Sequence, residues 1–180
     1  MQLVSFIGGD AGMWRVSEMR TLCGAPLPEV QGIEIDEGQG VPPAMAVWQL
    51  RGVVSNLRYA ERTEVARLQA IQPPLQRPEA RCAALIPIRK SATWWALAQD
   101  ERRAIFERDS MHTQIGLAYL PAIARKLHHG RDLGESFDFL TWFEFAPEHI
   151  SAFDELLARL RASLEWSYVE REVEIRLART

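Results

Sequence analysis

The chain has 180 residues, 47 % hydrophobic and 25 % charged, which suits one compact domain with a sizeable core. Its formal net charge of −3 gives no reason to expect nucleic acid as a partner, because phosphate binding usually shows as a strong basic excess. Two cysteines, Cys23 and Cys82, are too few for a disulfide framework, and no apolar run approaches the roughly 20 residues that span a bilayer.

The opening MQLVSFIGGDAG lacks a positive n-region and a long apolar stretch, so no secretion signal is expected and a reducing cytoplasm is the expected setting. Residues 1–43 hold the turn-rich segments GGDAG and DEGQG, and no element is assigned to them. Residues 44–59, rich in Val and aromatics and free of Pro, predict a long strand. Val65, Leu68 and Ile71 recur at helical spacing within residues 61–71, and QPPLQRP ends that helix. Residues 81–89 predict a second strand, in which Pro87 requires an edge or a bulge. Residues 91–129 read as helical, with Gly130 just past the end.

A second strand–helix–strand unit closes the chain. Residues 137–145 place Phe137, Phe139, Thr141, Phe143 and Phe145 on one face and Leu140 and Trp142 on the other, which predicts a strand covered on both sides. Ile150, Phe153, Leu157, Leu160 and Leu164 follow Pro147 at helical spacing. The last strand sets Val169, Val173, Ile175 and Leu177 against a face of Glu170, Glu172, Glu174 and Arg176 that should be solvated. The whole chain is read as a single domain. Its element order predicts an α+β, ferredoxin-like sheet with helices on one face.

Chemistry-bearing residues are sparse. His128 and His129 are adjacent, so on a helix they point about 100° apart and cannot easily chelate one metal; beside Gly130 they should face water. His149 falls in the first turn of an amphipathic helix and should be exposed. His112 has no HxxxH or HxxE helper, so composition alone does not mark it as a ligand. Thirteen residues later stands Arg125, a permanent cation; a straight helix would part the two by roughly 20 Å, but Pro121 should bend it.

The segments IPIRKSATWWALAQDERRAIF, HTQIGLAYLPAIARKLHHGRDLGESFDFLTWFEFAP and EWSYVEREVEIRL resemble, in order, those of the chlorite dismutase family, from about residue 52 to 177. The resemblance implies a ferredoxin-like fold whose sheets pair in a dimeric α/β barrel, with haem b in the C-terminal half, residues 44–180. It also implies the short branch of that family, which has a trimmed N-terminal part and forms homodimers without an export signal.

By position, the resemblance implies that His112 is the axial ligand to haem iron and Glu165 the carboxylate on its far nitrogen, a pairing that fixes the tautomer and adds imidazolate character. Arg125 matches the distal arginine, whose fork of donors suits a small oxyanion. Ile86 through its backbone and Lys90 through its ammonium match the propionate-binding stretch, as do Asn56 or Tyr59. Trp94 and Trp95 match the aromatic pair beside the haem. Gln72 would hold Arg125 in an outward rotamer, and Leu120 would keep the distal pocket apolar. The implied activity is conversion of chlorite to chloride and dioxygen, Arg125 keeping a hypochlorite-level fragment from escaping. Coproheme decarboxylation, whose enzymes carry an uncharged residue at the position of Arg125, and a non-catalytic haem carrier or sensor are the alternatives.

Overall fold

In a computed structural model of the chain, which describes residues 2–38, 44–54 and 72–179, eight strands close into a barrel. They are β1 (Leu3–Gly9), β2 (Trp14–Cys23), β3 (Gly32–Asp36), β4 (Trp48–Val54), β5 (Cys82–Lys90), β6 (Ala124–His129), β7 (Phe139–Phe145) and β8 (Val169–Arg179). Around the barrel they run β1-β3-β2-β8-β5-β7-β6-β4, each antiparallel to its neighbours. The first four and the last four strands share one internal order: the first lies between the third and fourth, and the second sits beyond the third. The two sets join through β2–β8 and β4–β6.

The period of two then sorts the side chains. Phe6, Trp14, Leu50, Leu85, Trp142 and Ile175 fill the barrel interior. The Trp142 ring stacks on Phe6 at 5.6 Å and meets Trp14 edge-on at 5.4 Å. The outer face of the second set is covered by helices: α1 (Ala92–Ala96), α2 (Gln99–Arg103), a π-helical stretch (Ala104–Asp109), α3 (His112–Leu117) and α4 (Ile150–Arg161). Phe153, Leu156, Leu157 and Leu160 of α4 pack a second core against that face. A 3-10 turn, Leu164–Tyr168, leads from α4 into β8.

Several expectations hold, and several are corrected. The strands at 81–89 and 137–145 and the last strand form where expected, and β7 is covered on both sides. Residues 1–43 hold three strands, β1 to β3. The strand expected over 44–59 is described only from Trp48 to Val54, and the helix expected over 61–71 lies outside the described residues. Pro87 sits in β5 between two partners, opposite Leu140 of β7; the β8 register runs to Leu85–Ile175 and resumes at Ile88–Glu172. Helix does not continue from 91 to 129. Residues Ala124–His129 form a strand instead, because pairing with both β4 and β7 closes the barrel and overrides local preference.

Three further corrections concern burial. His128 does not face water but is buried in the barrel interior, its Nδ1 3.1 Å from the Leu140 carbonyl oxygen. Glu172 and Glu174 are not solvated: they lie buried under α4, paired with arginines. Ile150 and Leu164, expected on the apolar helical face, are exposed. Among the described residues no helix is long and apolar enough to cross a membrane.

Candidate active site

Alternate residues of three adjacent strands point out of the barrel into one cavity: Ile86, Ile88 and Lys90 of β5, Arg125, Leu127 and His129 of β6, and Phe139, Thr141 and Phe143 of β7. Helices roof it, contributing Trp94, Phe106, His112, Leu157 and Leu160. The space in this cavity open to a water-sized sphere is about 120 Å³, and its walls are predominantly apolar.

His112 opens α3, directly after Met111, whose φ of 48° is left-handed. That residue turns the chain out of the π-helical stretch and into α3. π-Helical turns are rare and cluster at functional sites; this one carries Phe106, whose ring stacks on His112 at 4.2 Å. His112 Nδ1 lies 2.7 Å from Glu165 Oε2, while Glu165 Oε1 accepts from Lys90 Nζ at 2.8 Å. Lys90 Nζ also donates to the Glu165 carbonyl at 3.2 Å, and the Glu165 N–H donates to Ser110 Oγ at 2.9 Å.

Burial alone would raise the Glu165 pKa, but the charges and hydrogen bonds of His112 and Lys90 override it and hold the carboxyl at about 2. An ionised carboxylate only accepts hydrogen bonds, so Nδ1 of His112 is the donor and Nε2 is the nitrogen left for a metal. The Lys90 ammonium lies 4.7 Å from the Trp94 ring centre. Trp94 lines the cavity, and its buried indole N–H has no hydrogen-bond partner among the described residues.

Arg125, the second residue of β6, stands opposite Phe143. Burial pushes its guanidinium below the ordinary value and the Glu107 carboxylate acts the other way; an arginine so perturbed remains a cation at neutral pH. Glu107 itself accepts a hydrogen bond from the Thr113 hydroxyl. Among the described residues no group of three or more His, Cys, Asp or Glu could hold a metal ion. A metal on the lone His112 imidazole must therefore bring its other ligands with it.

The fold thus gathers His112, Glu165, Arg125, Ile86, Lys90 and Trp94 around one cavity. Lys90 departs from its expected role: its ammonium turns to Glu165, because a buried carboxylate needs a counter-charge. Gln72 reaches Arg125, but its amide donates to the backbone carbonyl and not to the guanidinium side chain. Trp95 does not line the cavity; it stands behind Phe139, stacked at 6.0 Å, with its indole N–H 3.0 Å from Asp138 Oδ2. Leu120 also lies outside the lining, in the turn between α3 and β6. Asn56 and Tyr59 lie outside the described residues. Phe106, Ser110, Thr113 and Trp166 were not singled out from the sequence, since their roles depend on contacts across the fold.

The chlorite dismutase family model matches residues 43–180. A chlorite dismutase of Ideonella dechloratans is 35 % identical over 88 residues, 49 % of this chain but 29 % of that curated relative's length. Among solved structures, the dimeric chlorite dismutase of Nitrobacter winogradskyi is 54 % identical, with 98 % of this chain and 99 % of that chain covered and a TM-score of 0.92. The chlorite dismutase of Candidatus Nitrospira defluvii, solved in complex with imidazole, is 30 % identical over 74 % of this chain and 56 % of that chain, with a TM-score of 0.60.

Proposed function

The chain belongs to the chlorite dismutase family, and from that membership we propose that it is a haem b-dependent enzyme that converts chlorite to chloride and dioxygen. One observation carries the reading: an imidazole backed by a buried carboxylate stands in the wall of an apolar cavity that also receives a guanidinium. The residues fit a haem. The cavity is apolar, His112 Nε2 would be the nitrogen that holds the iron, and the lining Trp94 keeps a buried indole N–H without a hydrogen-bond partner among the described residues.

When bound, haem iron supplies an open coordination position at which the O–Cl bonds of chlorite are exchanged for an O–O bond. The overall reaction, ClO2⁻ to Cl⁻ and O2, balances without a net proton or electron. The protein therefore needs a fixed cation for the anion more than a general acid. Arg125 would fill that role and keep a hypochlorite-level fragment from escaping. His112 would hold the iron through Nε2, with Glu165 accepting from Nδ1 and Lys90 keeping that carboxylate charged. The apolar walls from β5, β7 and α4 exclude water, which strengthens the pull of the guanidinium on an anion.

In this reading each set of four strands is a ferredoxin-like sheet, the second set is the haem-binding half, and the protein is a homodimer like its Nitrobacter winogradskyi relative. Free Cys23 and Cys82 suit a reducing, cytoplasmic setting. An oxygen electrode tests the activity: chlorite added to the haem-loaded protein should release dioxygen, and haem uptake without gas would leave only a carrier. Arg125→Ala should still take up haem but leak hypochlorite, trapped with a chlorination probe, and lose activity sooner than the parent. Equal endurance with no trapped hypochlorite would remove Arg125 from this role.

A further inference from the structure

We infer that Gly116 is the seat of the Arg125 guanidinium, a positioning residue whose missing side chain decides where the cation stands in the cavity. Gly116 lies one helical turn after His112 in α3, so the two share a face of that helix. A Cβ built on Gly116 would lie 2.4 Å from Arg125 Nη1, 2.9 Å from Cζ and 3.0 Å from Nη2. All three nearest atoms belong to one guanidinium. Non-bonded carbon does not approach atoms at 2.4 Å, so any L-residue here displaces the cation.

What would give way is the tip of a flexible side chain, not backbone. The helix and core should therefore tolerate alanine, which is also the better helix former. Glycine at this buried position is explained by the guanidinium it accommodates. The rest of Arg125 is held from other sides. Gln72 donates to its carbonyl, and the Glu107 carboxylate, fixed by the Thr113 hydroxyl, attracts its charge. Gly116 bounds the guanidinium on the α3 side, and so sets how far the cation stands from whatever small anion it faces.

The consequence for anions rests on the reading of Arg125 given above, but the contact itself does not, and the experiment separates them. In the haem-free full chain, the Arg125 Nε–H resonance, assigned by its loss in Arg125→Lys, should shift in Gly116→Ala. In the haem-loaded protein kept ferric, with no reductant present, Gly116→Ala should take up haem as the parent does yet bind nitrite, used as an oxyanion probe, about tenfold more weakly, the size of one charge-assisted hydrogen bond. In an Arg125→Ala background the same glycine substitution should leave nitrite affinity unchanged. An unshifted resonance, or an equal loss of nitrite affinity in both backgrounds, overturns the seat. A shifted resonance with unaltered nitrite binding keeps the seat and refutes the anion-binding role. Should Gly116→Ala fail to fold while Gly116→Ala/Arg125→Ala folds, the contact is the cause; should both fail, the inference falls.

Discussion

Glu165 is the residue on which the proximal side of the site turns, because it accepts from both His112 and Lys90 while only 4 % exposed. Lys90, equally buried, is its counter-ion. Removing one partner of such a pair leaves an uncompensated charge in a poorly solvated place. Lys90→Ala should therefore cost about 3–5 kcal/mol of stability in urea unfolding. The double variant Lys90→Ala/Glu165→Gln should cost less than the sum of its parts, since it buries no lone charge. Glu165→Gln by itself replaces the charged acceptor on His112 Nδ1 with a neutral amide oxygen, so haem titration should show affinity reduced by about 10–100-fold. Neither role was legible in the local sequence. Glu165 follows a helix and precedes a strand, a place where carboxylates are ordinarily solvated, and its imidazole partner lies 53 residues away.

At the scale of elements, α4 and the outer face of β8 are joined by charge and not by apolar contact alone. Arg161, at the end of α4, donates to Glu172 Oε1 at 2.9 and 2.6 Å and to Glu174 Oε2 at 2.6 Å. Arg20 of β2 and Arg176 of β8 reach the other Glu174 oxygen at 2.7 and 2.5 Å. Burial would raise the Glu174 pKa, but these three guanidinium groups hold it at about 2. Glu172 Oε2 in turn accepts from the Trp166 indole N–H at 2.8 Å, so the cluster also steadies the 3-10 turn that carries Glu165. Glu174→Ala should lower stability by about 3 kcal/mol. Glu170→Ala, on the same strand but in an exposed pair with Arg89, should change it by no more than about 0.5 kcal/mol. The alternation of β8 was readable; the burial of its carboxylates was not. A charged strand face reads as solvated until the arginine-bearing helix that covers it is known.

Closure of the barrel puts an ionisable group inside the molecule as a whole. His128 projects into the interior, where Gly52 of β4 leaves room: a Cβ there would lie 2.6 Å from the His128 Cβ. Burial lowers the His128 pKa from 6.5 to about 4, so the folded state keeps it neutral where the unfolded chain binds a proton. Stability from this group is full above pH 6.5 and falls as pH drops toward 4, by about 3 kcal/mol in all. Glu165 and Glu174, both depressed from 4.5 to about 2, contribute stability that is lost only below pH 4.5. Thermal unfolding across pH should therefore show two acid arms, and His128→Gln should flatten the upper arm while leaving the lower one. A single arm beginning below pH 4.5 would refute the buried neutral histidine.

By itself the sequence determined the strands at β5, β7 and β8, the amphipathic α4, and the ordered landmarks from IPIRK to EW that mark the family. These are local periodicities or positions in a linear order, and a chain displays both without folding. Tertiary structure decided that Ala124–His129 is a strand, that His128 is buried, and that Arg125 and His112 face one cavity. Those outcomes depend on β6 pairing not only with the neighbouring β7 but also with β4, a partner distant in the chain. Strand pairing is non-local, so no stretch of sequence around Arg125 could announce which way its side chain would point.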